Sequence, residues 1–512
     1  MMEKKAWLSA KATLRPKQLA AKAPLRPKHT PLFLLLVFLL FCCRGFDLFD
    51  LSIFSPRTGT CWDDFDLGNI TAIAQQHAES PIQPPFKNQF WEVGQRSRNL
   101  TKWLWYGDQL HSRSGTKRKL VAAIEATAAS IFPFITSSPM WPDSQTPLSD
   151  LRTIHRNGGR GIVIPVGGGE QAVRFAGHLI STLRRTLGSK LPIQVAYAGD
   201  ADLAQDQRDA LASLDPMRKI DFVNVIEVFD DTTLSLRKGG WAIKSFAALA
   251  SRFEEVIVLD ADAVFMQPPE VLYEQEAYLN TGAYLFHDRL LWQHGFRARH
   301  NWWKDQIKEP SEALNRSRVW TEDYAEECDS GVVVLDKSRL SVFVGLLHIA
   351  WQNTREVRNE VSYKLTYGDK ETWWLGLELA GSPYQFEQHY GSILGWRKDQ
   401  PPNVDELPNR VCSFVIAHTD ARGRLLWYNG SLVKNKMVEP ESYQVPNAWM
   451  VGGEWEKGGA KKDMSCMVKA KVKTLTLHEQ RVLEHSIEEA KKVDWMLKDK
   501  GLMTPQDGLV IR

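Results

Sequence analysis

The sequence contains few cysteines, and no two of them stand at the spacing of a zinc site. There are six in 512 residues and no Cys-x-x-Cys pair, so a structural zinc site is disfavoured. In an oxidising compartment the last four allow three pairings, between which the sequence does not choose. The cysteines are Cys42, Cys43, Cys61, Cys328, Cys412 and Cys466.

Glycine-rich nucleotide-binding signatures are missing too. The run Gly167-Gly168-Gly169 continues with Glu170 and Gln171, which do not complete Gly-x-Gly-x-x-Gly, and no Gly-Lys-Ser/Thr follows. A dinucleotide-dependent oxidoreductase is therefore disfavoured, and the run is not a P-loop. The three glycines could let the backbone approach a nucleotide, or simply make a tight turn from strand to helix.

An excess of positive charge on the main part of the chain is also missing. The net charge is +3, but residues 1–30 contain eight Lys and Arg against the single acid Glu3, which is about +7. Taking +7 from +3 leaves about −4 for the remainder. Because the basic residues are confined to a tail, a nucleic-acid-binding surface is not supported.

The apolar run at residues 31–43 is short for a membrane span. Its thirteen residues would form a helix of about 20 Å, against a hydrocarbon core of roughly 30 Å. The basic flank favours a signal anchor with a cytoplasmic N-terminus; a cleaved signal peptide and a buried core helix are the alternatives. The first two place the rest of the chain in a lumen. Sequons that fit a secretory route begin at Asn69, Asn99, Asn315 and Asn429.

Apolar strands and amphipathic helices alternate between residues 161 and 265. Short apolar runs at 161–166, 192–198, 221–226 and 256–259 are separated by helical patterns at 170–187, 201–214 and 241–251. This order predicts an α/β fold with a mostly parallel central sheet and helices on both faces. Ligands of such sheets gather at the carboxyl ends of the strands.

Asp260 and Asp262 follow the most apolar of these strands and do not lead directly into a helix. Two buried carboxylates so close together need a cation, because they repel each other and lose solvation. Their oxygen ligands suit Mg²⁺ or Mn²⁺. The pair Asp200/Asp202 also follows a strand but opens a helix, where a cap is sufficient explanation. The pair at 64 and 66 has no strand before it.

Six stretches together resemble the fungal Golgi α-1,3-mannosyltransferase family, over roughly residues 155–450. The resemblance implies a type II Golgi membrane protein with a luminal catalytic domain. It also implies a retaining glycosyltransferase of the GT-A-like nucleotide-diphospho-sugar transferase fold that uses GDP-mannose and Mn²⁺. The stretches are RKGGWAIKSFA (237–247), EVIVLDADAVF (255–265), TGAYLFHDR (281–289), DSGVVVLDK (329–337), GDKETWWLG (368–376) and HTDARGRLLWYNG (418–430).

With this resemblance, further side chains become candidates for the site. His418, after a predicted strand at 411–417, is a candidate third metal ligand, with a hydrogen-bonded loop histidine as the alternative. Lys244 could meet a phosphate or sugar-ring oxygen, or be a solvated helix lysine. Asp369 and Glu371 could stabilise an oxocarbenium-like transition state or orient the acceptor hydroxyl, or instead cap a helix. Candidates for the sugar hydroxyls are Asp329, Ser330 and Gly331, beside Cys328, which could be half of a disulfide.

These interpretations predict five segments and one leading function. The segments are a basic cytoplasmic tail (1–30), a membrane anchor (31–43), a stem and N-terminal cap (44–155), a GT-A-like catalytic domain (156–450) and a C-terminal helical extension (451–512). Repeated prolines predict an irregular segment at 44–155, with one helix at 117–130. The leading hypothesis is transfer of mannose from GDP-mannose to a glycan or glycoprotein acceptor in the Golgi lumen. A same-fold transferase using a UDP-sugar and an inactive carbohydrate-binding relative are the alternatives.

Overall fold

The computed structural model describes residues 65–111, 114–167, 169–397 and 409–504. The predicted tail and membrane anchor, and the predicted stem before residue 65, lie outside the described residues. Among the helices of the described segments, none is long and apolar enough to cross a membrane. The described residues from Asp66 onward belong to one compact unit.

Four helices of nine or more residues precede the sheet within the described chain, where the sequence predicts only one, at 117–130. The expectation of an irregular segment is wrong here because the prolines lie between helices, and Pro147 is tolerated in a first turn. Two starts are capped in the usual way: Asp66 accepts the Asn69 N–H and Ser114 accepts the Lys117 N–H, both at 3.1 Å. The helices are α1 (Leu67–Glu79), α2 (Phe90–Gln109), α3 (Gly115–Ile131) and α4 (Pro147–His155).

The central sheet has seven strands in the order β3-β2-β1-β4-β7-β6-β8. Strands β3, β2, β1 and β4 are parallel, whereas β7 runs antiparallel to both of its neighbours. The predicted α/β class with a mostly parallel sheet is confirmed. The first eight strands are β1 (Arg160–Pro165), β2 (Ile193–Tyr197), β3 (Ile220–Asn224), β4 (Glu255–Leu259), β5 (Ala263–Phe265), β6 (Ala283–His287), β7 (Cys328–Asp336) and β8 (Gln385–Phe386).

Helices follow the strands as the alternating pattern predicts, with shorter ends. The main ones are α5 (Glu170–Ser181), α6 (Gln205–Ser213), α7 (Ile243–Ala250), α8 (Arg297–Gln306), α9 (Leu340–Gln352) and α10 (Lys370–Ala380). Helix α7 packs on β1, α10 packs on β7, and α9 packs on both helices, while α2 covers α9 and α10. Shorter helices are Val225–Val228, Asp231–Leu234, Glu276–Thr281, Glu312–Asn315, Arg318–Glu322, Arg355–Val357 and Tyr363–Leu365.

The C-terminal part is mostly β-structure before one long helix. The single strand predicted at 411–417 is two strands in different sheets, and the predicted helical extension from 451 begins with three short strands. An antiparallel sheet has the order β16-β17-β10-β9-β15-β18, and a smaller one has the order β11-β12-β5. The elements are β9 (Ile393–Arg397), β10 (Val411–Ser413), β11 (Ile416–Thr419), β12 (Leu425–Asn429), β13 (Val433–Asn435), β14 (Glu439–Tyr443), β15 (Ala448–Met450), β16 (Glu454–Glu456), β17 (Ser465–Val468), β18 (Lys473–Thr474) and α11 (Leu477–Asp499).

One disulfide is present in the described segments. Cys412 of β10 and Cys466 of β17 stand opposite each other in the antiparallel pair and are bonded. Cys328 is a free, buried thiol, so the suggestion that it is half of a disulfide is wrong. The other three cysteines lie outside the described residues.

Candidate active site

The carboxyl end of β4 carries the two predicted metal ligands. Asp260 is the first residue after the strand, and its N–H donates to the carbonyl oxygen of Gly331 at 2.9 Å. Because β7 is antiparallel to β4, the first residues of β7 lie beside the last residues of β4. The fold thereby brings Asp329, Ser330 and Gly331 to the same edge of the sheet as Asp260 and Asp262.

Lys244 of α7 joins these elements through a buried ammonium group. Its Nζ lies 2.9 Å from Asp260 Oδ1 and 3.1 Å from Asp369 Oδ2. It also donates to the carbonyl and hydroxyl oxygens of Ser330, at 2.8 and 2.9 Å. Burial alone would lower the pKa of Lys244, but Asp260 and Asp369 raise it above its ordinary value. We call this group of four residues the lysine hub; the alternative of a solvated helix lysine is wrong.

Asp260 is surrounded by other charged side chains, which change its pKa. Burial raises its pKa above the ordinary range; the charge of Lys244 opposes the rise, while Asp262 and Asp369 add to it. On the other side, Asp262 forms an ion pair with the ammonium of Lys436, whose side chain is 38% exposed. Each of the two predicted metal ligands therefore already has a cationic neighbour.

The donor set at this edge fits a hard divalent cation in chemistry. Asp260 and Asp262 offer carboxylate oxygens, which Mg²⁺ and Mn²⁺ prefer. A third protein ligand does not stand with them: no group of three His, Cys, Asp or Glu side chains suited to a metal occurs in the described parts of the chain. A cation held there would replace the Lys436 ammonium as the partner of Asp262.

His418 lies in β11 and is fully enclosed. Its Nε2 is 3.2 Å from Asp329 Oδ2 and its Nδ1 is 3.0 Å from Glu387 Oε2, while its ring stacks on Trp427 at 4.3 Å. Burial would lower the pKa of His418, but the two carboxylates raise it to about 9. Both ring nitrogens of His418 contact carboxylates in this arrangement, so neither is free to bind a metal. Metal ligation by His418 stays a prediction.

Asp329 is one of the two carboxylates that His418 contacts. Burial would raise its pKa, but the hydrogen bond and charge of His418 lower it below the ordinary range. Its other oxygen accepts the Gly331 N–H at 3.0 Å and the Asn429 side-chain amide at 3.1 Å. Asp329 is thus an ionised group held from several sides at the start of β7.

The two acids at the start of α10 have different surroundings. Asp369 makes no side-chain cap; its Oδ2 faces Lys244 and accepts the Trp373 indole N–H at 2.8 Å. Glu371 accepts the backbone N–H groups of Glu327 and Cys328, at 3.0 and 3.2 Å, on one oxygen.

The other oxygen of Glu371 accepts the Trp374 indole N–H at 2.6 Å. The side chain is buried, and burial raises its pKa to about 8. With both oxygens committed to the protein, Glu371 holds the start of β7 and has no oxygen free for a ligand. We therefore correct its proposed catalytic role to a positioning role and keep Asp369 as the site acid.

A second ion pair at this edge is missing from the sequence-based candidates. Asp288 directly follows β6 and is buried against the ammonium of Lys370, with Glu326 3.9 Å from the same ammonium. Burial would raise the pKa of Asp288, but Lys370 and Arg289 lower it. The signal was available, because Asp288 ends an apolar strand just as Asp260 does.

The remaining acidic pairs and the glycine run have structural roles. Asp66 caps α1, and Asp200 pairs with Arg208 at 2.7 Å. Asp202 accepts the Ala198 N–H at 2.9 Å, and a Cβ on Gly167 would come within 2.4 Å of its carboxylate. The prediction that Asp200 and Asp202 cap a helix is wrong, because the helix begins at Gln205 and its N-cap is Ala204; their contacts are structural in another way. The contact at Gly167 agrees with the tight-turn interpretation, and residue 64 lies outside the described residues.

Residues 159–420 match the model of a protein family described as "Mannosyltransferase putative" (Mannosyl_trans3). This is more than half of the chain. The chain belongs to this mannosyltransferase family. The match includes the lysine hub, Asp262, Asp288, Asp329 and His418, whereas Lys436 lies beyond it.

Several yeast enzymes are similar to this member of the family. From Saccharomyces cerevisiae, alpha-1,3-mannosyltransferase MNT3 is 27% identical, over 48% of this chain and 42% of MNT3. Alpha-1,3-mannosyltransferase MNT2 is 27% identical, over 55% of this chain and 53% of MNT2. Alpha-1,3-mannosyltransferase MNN1 is 27% identical, over 53% of this chain and 40% of MNN1. The resemblance to fungal α-1,3-mannosyltransferases is confirmed, and the chain spans about half the length of these relatives.

Solved structures of glycosyltransferases show a weak overall likeness. The galactosyltransferase LgtC is 15% identical with a TM-score of 0.30, covering 44% of this chain and 73% of LgtC. Mouse xyloside xylosyltransferase 1 is 12% identical with a TM-score of 0.29, covering 45% of this chain and 84% of the xylosyltransferase.

Proposed function

We propose that this family member is a retaining, GT-A-like glycosyltransferase that transfers mannose from GDP-mannose to a glycan acceptor in α-linkage, with α-1,3 as the linkage. The observation that carries the proposal is the lysine hub, which lies at the carboxyl edge of the sheet and inside the family match. Relatives named alpha-1,3-mannosyltransferases support the sugar and the linkage.

In this proposal Asp260 and Asp262 hold Mn²⁺ or Mg²⁺. The carboxylate oxygens of this pair are ligands that both cations prefer, and a cation bound there takes the place of the Lys436 ammonium that now pairs with Asp262. When bound, the cation neutralises negative charge on the leaving diphosphate.

The protein groups around the hub bind and orient the donor. Lys244 keeps its proton because its two carboxylate partners outweigh the effect of burial on its pKa. In this proposal a phosphate or sugar-ring oxygen takes the place of one of the acceptors that now surround the ammonium. In this proposal Asp369 stabilises the positive charge that develops on the sugar ring. Asp329 has both carboxylate oxygens committed to protein donors, so it positions the start of β7. In this proposal the Ser330 hydroxyl, which accepts from Lys244, donates to a sugar hydroxyl.

Retention does not require a nucleophile from the protein in this proposal. In front-side attack the oxygen of the acceptor hydroxyl forms the new glycosidic bond, the bond to the diphosphate breaks, and the leaving phosphate takes the acceptor's proton. The enclosed position of Glu371 agrees with this scheme, since that carboxylate has no free oxygen to attack the sugar.

Thermal unfolding with Mn²⁺ and either GDP or UDP tests the donor. We expect GDP with Mn²⁺ to stabilise the protein and UDP to have little effect. Stabilisation by UDP alone would assign a UDP-sugar, and no stabilisation by either nucleotide would favour an inactive carbohydrate-binding relative. Asp262→Ala should keep the fold and lose turnover of GDP-mannose, with linkage analysis of the wild-type product as the second readout.

We also infer a Golgi membrane location, with the 31–43 segment as anchor and the catalytic part in the lumen. The disulfide between Cys412 and Cys466 supports an oxidising compartment. Protease digestion of intact vesicles tests the topology: the catalytic part should be protected until detergent is added. Digestion without detergent would contradict a luminal domain.

A further inference from the structure

Two large aromatic side chains are exposed next to the lysine hub. Trp241 is 48% exposed and Tyr367 is 65% exposed, and their ring centroids are 5.4 Å apart with a tilt of 48°. In contrast, Trp303, Trp373, Trp374 and Trp427 are fully buried. Contiguous exposed apolar surface of this kind marks a binding site more often than an isolated exposed side chain does. We call Trp241 and Tyr367 the aromatic pair.

The backbone next to the aromatic pair is shaped to keep the tryptophan in place. Gly368 has a φ of +66°, and a Cβ there would come within 2.7 Å of the Trp241 ring. The carbonyl oxygen of Gly368 accepts the hydroxyl of Thr366 at 3.1 Å. Only glycine fits this close approach without strain, so the indole rests on a fixed turn.

The aromatic pair is placed by the same two elements that place the hub. Trp241 lies three residues before Lys244, in the turn that leads into α7, and Tyr367 lies two residues before Asp369, at the start of α10. Lys244 and Asp369 are themselves joined at 3.1 Å.

Two groups of ion pairs lie at this edge of the sheet. Lys436 pairs with Asp262, and Lys244 pairs with both Asp260 and Asp369. The proposed diphosphate site is at Asp260 and Asp262. The aromatic pair lies on the elements that carry Lys244 and Asp369, the groups to which the donor sugar is assigned.

We propose that the aromatic pair is the acceptor subsite, and that it stacks against the apolar face of a pyranose ring of the acceptor glycan. This inference rests on the proposed transferase function. A pyranose has a face of C–H groups and a rim of hydroxyls, which suits an exposed ring with a polar edge such as tyrosine or tryptophan. The pair thereby brings the acceptor hydroxyl toward the sugar held by the hub.

Steady-state kinetics of the full chain with GDP-mannose, Mn²⁺ and a mannobiose as the acceptor probe test the subsite. Trp241→Ala and Tyr367→Ala should each raise the acceptor KM by about tenfold, as expected for the loss of one stacking ring. The GDP-mannose KM and the stabilisation by GDP should not change. Tyr367→Phe should keep the wild-type acceptor KM, because stacking needs the ring and not the hydroxyl.

Trp495→Ala is the matched control, since Trp495 is 69% exposed on α11, which packs on α5. It should leave both KM values unchanged. An unchanged acceptor KM in both alanine variants would overturn the inference, and so would a rise in the donor KM instead, because the pair would then serve the nucleotide.

Failure of the transferase proposal can be told apart from failure of the subsite. If the wild type forms no product with GDP-mannose, the proposed function fails. Calorimetric titration of mannobiose into the full chain then decides the subsite: binding that Trp241→Ala abolishes supports it, and no binding, or binding that this change leaves intact, overturns it.

Discussion

Lys244 is the buried cation that pairs with two carboxylates of the site. It is 4% exposed and has two carboxylate partners. Removing one partner of a buried ion pair leaves an uncompensated charge, which costs about 3 kcal/mol or more. We therefore expect Lys244→Met to lower the free energy of unfolding by about 3 kcal/mol in urea denaturation, and to abolish turnover.

Lys436→Met is the matched control for this change. Lys436 also pairs with one of the two aspartates, but its side chain is 38% exposed, and exposed pairs contribute up to about 1 kcal/mol. Equal losses of stability in the two variants, measured without metal or nucleotide, would contradict the assignment of Lys244 as the buried centre of the site.

His418 gives the site a pH dependence whose direction is fixed by its partners. Asp329 and Glu387 outweigh burial and raise its pKa from 6.5 to about 9. Because the pKa is raised in the folded protein, the ion pairs of protonated His418 contribute their full stabilisation below pH 6.5. This contribution is lost as the pH rises through about 9. The free-energy difference between wild type and His418→Gln should therefore shrink by up to about 3 kcal/mol between pH 6.5 and pH 9.5.

Urea denaturation of both proteins across this pH range measures the effect. His485→Gln serves as the control, because the side chain of His485 is 46% exposed and lies 3.9 Å from its acidic neighbour. The His485 difference should stay flat. A His418 difference that grows with pH would mean that the histidine is neutral in the folded protein.

At the scale of elements, Glu371 ties the start of α10 to the start of β7. It accepts the N–H groups of Glu327 and Cys328 and the indole N–H of Trp374. At a pH above about 8, where the Glu371 carboxyl is ionised, Glu371→Gln puts an amide N–H₂ group against one of these donors, which leaves a buried group unpaired and should cost about 1–3 kcal/mol. Since β7 also carries Asp329, kcat should fall as well.

Thermal unfolding of Glu371→Gln checks the predicted loss of stability, and steady-state kinetics check the predicted fall in kcat. Glu484→Gln, at an exposed position on α11, should change neither. A stable Glu371→Gln protein that has lost its activity would restore a direct catalytic role for Glu371.

The elements that could be predicted are those with a local signal. Strands β1 to β4 are apolar runs separated by helices, so the sheet and the position of Asp260 follow from the sequence. Strand β8 has only two residues and offers no such run, so Glu387 and its pairing with His418 could not be found. The Cys412–Cys466 pairing depends on two strands that meet across 54 residues.

At the scale of the whole molecule, the N-terminal helices belong to the same compact unit as the central sheet. Phe90 of α2 is fully buried, and a Cβ on Gly94 would come within 2.7 Å of the Leu379 carbonyl oxygen in α10. Arg98 donates to the carbonyl oxygens of Leu379 and Glu378 at 3.1 and 3.2 Å. A boundary at residue 156, as the sequence suggests, would cut through this packing.

Two truncated chains test that boundary. A chain that starts at residue 65 keeps α1 to α4 and should unfold cooperatively, because it retains the packing of α2 on α9 and α10. A chain that starts at residue 156 exposes the apolar surfaces of α9 and α10 that α2 covers, so it should aggregate or unfold without a cooperative transition. Circular dichroism melts compare the two. A cooperative transition of the shorter chain at the same Tm would mean that α1 to α4 form a separate domain, and that the lysine hub is held without them.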